Sequence, residues 1–108
     1  MDLVVFPGGW NPDIRPGAYE VIKREAEKYG YECVIDDLRW PGHAGKGEYD
    51  SAPSINLEKA VEAAKTKICK SNVQKPYTIL ARCFGCLVAL KFVCDVCTDR
   101  SMIEKLIL

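Results

Sequence analysis

The chain lacks an excess of either charge, since 15 basic residues balance 15 acidic ones among its 108 residues. Proteins that bind nucleic acid or anionic membranes usually carry a basic excess or stripe, and the balanced composition does not suggest one. No apolar run approaches the about 20 residues of a membrane span. Residues 1–6 include an acidic side chain and are too short for a secretory signal. These absences predict one cytoplasmic domain, residues 1–108, that binds neither nucleic acid nor membrane.

Histidine is nearly absent, whereas cysteine is abundant: His43 is the only histidine, beside six cysteines. Without a secretory signal, these cysteines are better explained as reduced thiols than as a disulfide framework. Cys83, Cys86, Cys94 and Cys97 form two Cys-x-x-Cys pairs. On one helix Cys83 and Cys94 would lie about 16 Å apart, too far for one zinc ion with Zn–S bonds of about 2.3 Å. We therefore expect no metal and no cofactor, and we interpret Cys86, Cys94 and Cys97 as small apolar residues of a helix packed into the core.

Short apolar segments alternate with helical patterns along the chain. The predicted strands are residues 3–6, 31–35, 77–81 and 103–108, and helical spacing marks residues 18–29, residues 57–70 and the segment after Cys83. Asn56 is suited to cap the second helix, and Gly30 to end the first. The predicted apolar stripe of the first helix comprises Ala18, Tyr19, Ile22, Ala26 and Tyr29. The alternation predicts an α/β fold, a parallel sheet with helices on both faces.

Cys83 lies where a predicted strand passes into a predicted helix. Residues 77–81 are β-branched and aromatic, and a longer apolar segment follows Cys83. Gly85 supplies a residue without a Cβ, which a tight strand-to-helix turn needs. A thiol at this corner lies at a helix N-terminus, where free N–H groups and the helix dipole favour the thiolate. The pattern therefore predicts that Cys83 is a nucleophile.

Three segments carry a resemblance to a known family. The run Ala81-Arg82-Cys83-Phe84-Gly85 resembles the nucleophile elbow Gly-x-Ser-x-Gly of the α/β-hydrolases, with alanine in place of the first glycine and cysteine in place of serine, as in the dienelactone hydrolases. The run Gly8-Gly9-Trp10 is similar to the family's His-Gly-x loop after an earlier strand, with glycine in place of the histidine. Pro41-Gly42-His43 is similar to the Pro-Gly-x part of the loop after the next strand, whereas Ala44 and Lys46 depart from that loop's pattern. The resemblance implies a partial α/β-hydrolase fold, a three-layer Rossmann-like arrangement.

The resemblance also implies roles for individual residues. Cys83 would attack an ester, thioester or similar acyl carbon, and the backbone N–H groups of Trp10 and Phe84 would form the oxyanion hole. Gly8, Gly9 and Gly85 would shape the loop and the elbow. The family's catalytic acid and histidine come late in its chain and have no counterpart here, so we expect a domain that is truncated relative to the family. In the absence of that histidine, His43 is the candidate for a substitute base.

Two other interpretations stay open. A strand followed by Cys83-x-x-Cys86 at the start of a helix is also the thioredoxin-like arrangement, which would make the chain a thiol redox protein. That fold carries a proline well after the motif, and no proline follows Pro76 in this sequence. The third interpretation is a non-catalytic half-fold that associates with itself or with a partner chain.

The last predicted strand supports that association. In the strand order of the family, the strand at Tyr31 lies at one edge, followed by the N-terminal strand, the Cys83 strand and finally residues 103–108. An edge strand presents a row of unpaired N–H and C=O groups, and Glu104 and Lys105 are its only charges. We therefore predict a homodimer, or a complex with a partner chain, through the C-terminal strand.

Overall fold

Four strands and three helices alternate in the computed structural model, which describes residues 1–8, 18–41, 56–96 and 103–108. The strands are β1 (Asp2–Phe6), β2 (Glu32–Ile35), β3 (Tyr77–Ala81) and β4 (Ile103–Ile107). The helices are α1 (Ala18–Lys28), α2 (Leu57–Lys70) and α3 (Phe84–Val96). Every predicted strand and helix is present, and its bounds differ from the prediction by one or two residues at most where they differ at all.

The four strands form one parallel sheet in the order β2-β1-β3-β4. The α/β class and the predicted strand order are therefore confirmed. Parallel neighbours need crossover connections, and helices supply them here. In the central pair, Leu3 of β1 lies opposite Thr78 of β3, and Phe6 lies opposite Ala81. β1 and β3 thus end together, and the segments that follow them meet at one edge of the sheet.

One core lies between the sheet and two of the helices. Val4 and Phe6 of β1 and Tyr77 and Ile79 of β3 are buried in one cluster. The same cluster contains residues of α2 and α3, namely Ala60, Val61, Ala64, Val88, Ala89 and Phe92. Because strand side chains alternate, Leu3 and Val5 point to the opposite face, on which right-handed crossovers place α1. β1 is thus apolar on both faces, as a continuous apolar run predicts, and Thr78 is the one buried polar residue of β3.

The helix ends follow local chemistry that the sequence predicts. The Asn56 side chain accepts a hydrogen bond of 3.1 Å from the Lys59 backbone N–H, which confirms it as the N-cap of α2. Gly30 follows α1 with φ +83°, the left-handed conformation that glycine adopts without steric cost. The Tyr31 N–H then donates to the Ala26 carbonyl and closes the helix.

Two predictions about side-chain burial are wrong. Tyr29, predicted to lie on the buried stripe of α1, is 77% exposed, because the chain already turns away from the helix there. Cys94, predicted to be a core residue, is exposed, whereas Cys86 is half-buried and packs against the core as predicted. Hydrophobic residues cover nearly the whole surface of α3, so the sequence does not reveal which of them face the sheet. The side chains of Ala18 and Tyr19, and Cys97 as a whole, lie outside the described residues.

Within the described ranges, none of the helices is long and apolar enough to cross a membrane.

Candidate functional site at the strand-to-helix turn

Cys83 lies between the end of β3 and the start of α3, as predicted. Its side chain is exposed, and its φ of +50° places the backbone in the left-handed region. Only a few per cent of residues other than glycine adopt a positive φ, and such residues concentrate at functional sites. The surrounding structure must therefore hold Cys83 in a conformation that the residue does not favour.

Backbone hydrogen bonds fix the turn on both sides of Cys83. The Arg82 N–H donates to the Phe6 carbonyl at 3.1 Å, which ties the end of β3 to the end of β1. After Cys83, the Gly85 N–H donates to the Arg82 carbonyl at 2.8 Å, and the Cys86 N–H donates to the Cys83 carbonyl at 2.9 Å. The chain therefore reverses within three residues and continues directly into α3.

Gly85 permits this reversal by having no side chain. A Cβ at this position would lie 2.4 Å from the carbonyl oxygens of both Phe6 and Pro7. Carbon atoms prefer non-bonded separations of about 3.5–4.0 Å, so no other residue fits without moving the backbone. The start of α3 thus passes directly over the end of β1, which gives a steric reason for the second glycine of the predicted elbow.

Gly8 keeps the space beside the thiol open. A Cβ at Gly8 would lie 3.3 Å from Cys83 Cβ and 3.9 Å from Cys83 Sγ. The loop after β1 therefore passes beside the thiol at a position that has no side chain. Two of the three glycines predicted from the sequence thus lie against the cysteine turn, while Gly9 lies outside the described residues.

Trp40 anchors the loop after β1, a role that sequence reasoning missed. Its indole Nε1 donates a hydrogen bond of 2.8 Å to the Pro7 carbonyl, and its side chain is 1% exposed. Its ring and that of Phe6 pack in an edge-to-face arrangement with a centroid separation of 5.5 Å. Trp40 thereby links the segment after β2 to the segment beside Cys83. A large aromatic residue shortly after a strand was the available signal, but its partner is 33 positions away.

Cys83 and Cys33 lie in different electrostatic surroundings. The turn precedes the N-terminus of α3, whose first turn contains no acidic residue, so the helix dipole favours a negative charge there. In contrast, burial and, to a lesser extent, the nearby Asp36 carboxylate raise the pKa of Cys33 to about 11. Cys33 is therefore protonated at neutral pH and is a poor nucleophile.

Of the predicted oxyanion-hole donors and the predicted base, only Phe84 lies in the described part of the chain. Phe84 is the first residue of α3 and is half-buried, so its backbone N–H lies in the unpaired first turn of the helix. Trp10 and His43, the predicted second oxyanion donor and the substitute base, lie outside the described residues. Among the residues that the structure describes, no three side chains of the metal-binding types are grouped together.

A separate shallow groove of about 560 Å³ lies between α2 and the segment after β2. Four cationic side chains line it, Arg39, Lys59, Lys67 and Lys70, together with the acidic Asp37 and Glu62. Lys67 pairs with Asp37 at 3.0 Å, and the hydrogen bond that Lys67 donates lowers the Asp37 pKa. None of the site residues predicted from the sequence lines this groove.

Comparison of the chain with protein-family models, curated proteins and solved structures finds no significant match.

Proposed function

We propose that the protein is an α/β-hydrolase-like enzyme in which Cys83 attacks the carbonyl carbon of an ester, a thioester or a similar acyl compound. The observation that carries this proposal is the left-handed conformation of Cys83 in a turn against which Gly8 and Gly85 pack. A nucleophile at a strained strand-to-helix corner is exposed to substrate while its backbone is held rigidly. The α/β-hydrolase elbow has this arrangement, and the motif Ala81-Arg82-Cys83-Phe84-Gly85 resembles that elbow in sequence.

The reaction proceeds in two steps. The Cys83 thiolate forms a bond to the acyl carbon, the bond to the leaving oxygen or sulfur breaks, and the leaving group takes up a proton. Water then attacks the acyl-thioester carbon, which releases the acid and restores the thiol. The negative oxygen of each tetrahedral intermediate needs N–H donors within about 3 Å. The Phe84 N–H at the start of α3 is the proposed first donor, and the Trp10 N–H is the proposed second.

Proton transfer in this mechanism falls to a substitute residue. The family's acid and late histidine have no counterpart in this sequence, so His43 is the proposed substitute base. The helix terminus therefore has to supply much of the stabilisation of the Cys83 thiolate. A thiolate attacks without a general base, whereas water needs one. Because the loss of a general base typically costs 10²- to 10⁴-fold in rate, the acyl-enzyme should form faster than it is hydrolysed.

The experiment measures thiol alkylation and acyl transfer with the same variants. Iodoacetamide at neutral pH should modify Cys83 well before Cys86 or Cys94, as followed by mass spectrometry of the peptides. A generic aryl ester should give a burst of phenol that Cys83→Ala abolishes and Cys86→Ala retains. Equal alkylation rates for the three thiols, or a burst that survives Cys83→Ala, would contradict the proposal.

A redox function of Cys83 and Cys86 is the second proposal, because one turn contains both thiols. The Cys86 N–H donates to the Cys83 carbonyl, and neither thiol is part of a disulfide in this structure. Exchange with an external disulfide would oxidise the pair and release two thiols from the donor. Loss of the ester burst with both Cys83→Ala and Cys86→Ala, together with reversible formation of the Cys83–Cys86 disulfide, would favour this function over hydrolysis.

A further inference from the structure

The groove between α2 and the segment after β2 is lined by cations from both of its walls. Lys59 and Lys70 lie on one face of α2, because eleven positions at 100° per residue return to nearly the same direction after about 16 Å of helix. Arg39 approaches from the segment after β2. The ion pair of Lys67 and Asp37, at 3.0 Å, joins the two walls. Positive side chains therefore border the groove along the helix and from the facing segment.

The two carboxylates in the groove do not neutralise its cations. Asp37 pairs with Lys67. Glu62 pairs at 3.0 Å with Lys65, a residue that does not line the groove. Three of the lining cations form no ion pair within the described parts of the chain, namely Arg39, Lys59 and Lys70. Four cations against two carboxylates thus leave two positive charges in the groove.

Arg39 is positioned by a buried residue on each side. Leu38 is 3% exposed and Trp40 is 1% exposed, whereas Arg39 itself is exposed. Its Nη1 donates a hydrogen bond of 2.9 Å to the Leu38 carbonyl, which orients the guanidinium and leaves its other N–H groups available to a ligand. A guanidinium fork matches two oxygens of a phosphate or a carboxylate. Because the fork is already held, less side-chain entropy is lost when an anion binds.

The helical wall of the groove is narrow at its centre. Ala63 lies four positions after Lys59 and four before Lys67, and its methyl group leaves space between these longer side chains. The Thr66 hydroxyl also lines this wall, but it donates to the Glu62 carbonyl at 3.0 Å. Recognition of an anion in the groove therefore depends on the cations.

We propose that this groove binds a small soluble molecule that carries a phosphomonoester group. Such a group has a charge of about −1.5 to −2 at pH 7, which balances the two positive charges of the groove, whereas a carboxylate or a sulfonate has a single charge. The groove volume of about 560 Å³ lies within the range of small-molecule sites, about 300–1,000 Å³. None of the described residues of the Cys83 turn lines the groove, so the inference stands or fails independently of the proposed hydrolase.

The test is an NMR titration of the isotope-labelled protein with phenyl phosphate at neutral pH and low ionic strength, where exposed charges are least screened. Saturable shifts should be confined to the amides that line the groove, among them those of Arg39, Ala63 and Lys67. Benzenesulfonate has a similar shape and a single charge, and it should bind several-fold more weakly. The absence of saturable shifts, shifts centred elsewhere, or equal affinity for the two compounds would overturn the proposal.

Variants with one cation fewer test which charges hold the ligand. Arg39→Gln should weaken phenyl phosphate binding by about tenfold or more, because it removes a charged, bidentate donor. Lys59→Gln should weaken binding by a smaller factor, since lysine is a point charge on a flexible stem. Both side chains are exposed, so neither change disturbs the core, and circular dichroism confirms the fold.

Lys28→Gln is the matched control, because it removes the same charge from α1, where Lys28 pairs with Glu25. Its affinity for phenyl phosphate should equal that of the unaltered protein. An equal loss of affinity in Lys28→Gln and Arg39→Gln would mean that only the overall charge matters, which contradicts a site in the groove.

Lipid vesicles distinguish a soluble ligand from a lipid headgroup of the same chemistry. Phosphatidic acid presents a phosphomonoester at a membrane surface, and the protein should stay in solution when vesicles that contain this lipid are sedimented. Binding to these vesicles that is tighter than binding to phenyl phosphate, and that Arg39→Gln abolishes, would overturn the assignment to a soluble molecule.

Discussion

The replacement of Gly85 by alanine tests whether a close backbone contact builds the cysteine turn. The new Cβ would lie 2.4 Å from two carbonyl oxygens and 2.9 Å from the Phe6 carbonyl carbon. Because these are backbone atoms, they cannot rotate aside as a side chain can. The start of α3 and the end of β1 would have to separate by about 1 Å to reach an ordinary non-bonded distance of about 3.5 Å.

We expect Gly85→Ala to lower the free energy of unfolding by about 3 kcal/mol, the upper end of the usual range for overpacking in a well-packed site. The total stability of a domain of this size is about 5–15 kcal/mol, so the loss is large but leaves most of the population folded. With a urea m-value of about 1–3 kcal/mol/M, the midpoint should fall by about 1–3 M. Urea unfolding followed by far-ultraviolet circular dichroism measures this shift.

Gly30 is the matched control, because its requirement for glycine has a different cause. Its φ is +83°, and a Cβ there would have no atom within 4 Å. Asparagine tolerates this conformation better than alanine, so Gly30→Asn should be more stable than Gly30→Ala. At position 85 the larger asparagine side chain should destabilise the fold more than the methyl group of alanine. The Gly85→Asn variant should therefore be less stable than the Gly85→Ala variant. The same order at both positions, or a loss below about 0.5 kcal/mol for Gly85→Ala, would refute the close-contact explanation.

Two further predictions concern the cysteine turn and one ion pair. In urea unfolding, the Cys83→Gly variant should be about 1 kcal/mol more stable than the Cys83→Ala variant. Both variants lack the thiol, but only glycine adopts the left-handed backbone conformation freely. Equal stabilities would mean that the turn is not strained. The pKa of Asp37 is lowered chiefly by the hydrogen bond from Lys67, so the pair stabilises the fold above the ordinary carboxyl pKa of about 3.9, and this stabilisation is lost as the pH falls through the lowered pKa. Asp37 is 60% exposed, so Asp37→Asn should cost less than about 1 kcal/mol at pH 7 and nothing at pH 2, and an equal cost at both pH values would contradict the assignment.

The sequence predicted the secondary structure well because local signals mark nearly every boundary. Asn56 caps α2 with its own side chain, and Gly30 ends α1 through its backbone freedom. The central strands are continuous apolar runs, which favours a parallel sheet whatever the rest of the chain does. The turn at Cys83 was also predictable from the sequence, since a strand, a cysteine, a glycine and an apolar helix follow each other within twenty residues.

What each side chain contacts was decided by the tertiary structure. Leu87, Leu90 and Cys94 are as apolar as Val88 and Phe92, yet only the latter two are buried, because the orientation of α3 is set by the sheet beneath it. Trp40 reaches Pro7 across 33 positions, and no local pattern specifies such a partner. Periodicity therefore determined which segments become strands and helices. Long-range packing alone decided that β1 lies under the start of α3, that Gly8 borders the thiol of Cys83, and that Leu87, Leu90 and Cys94 face outward.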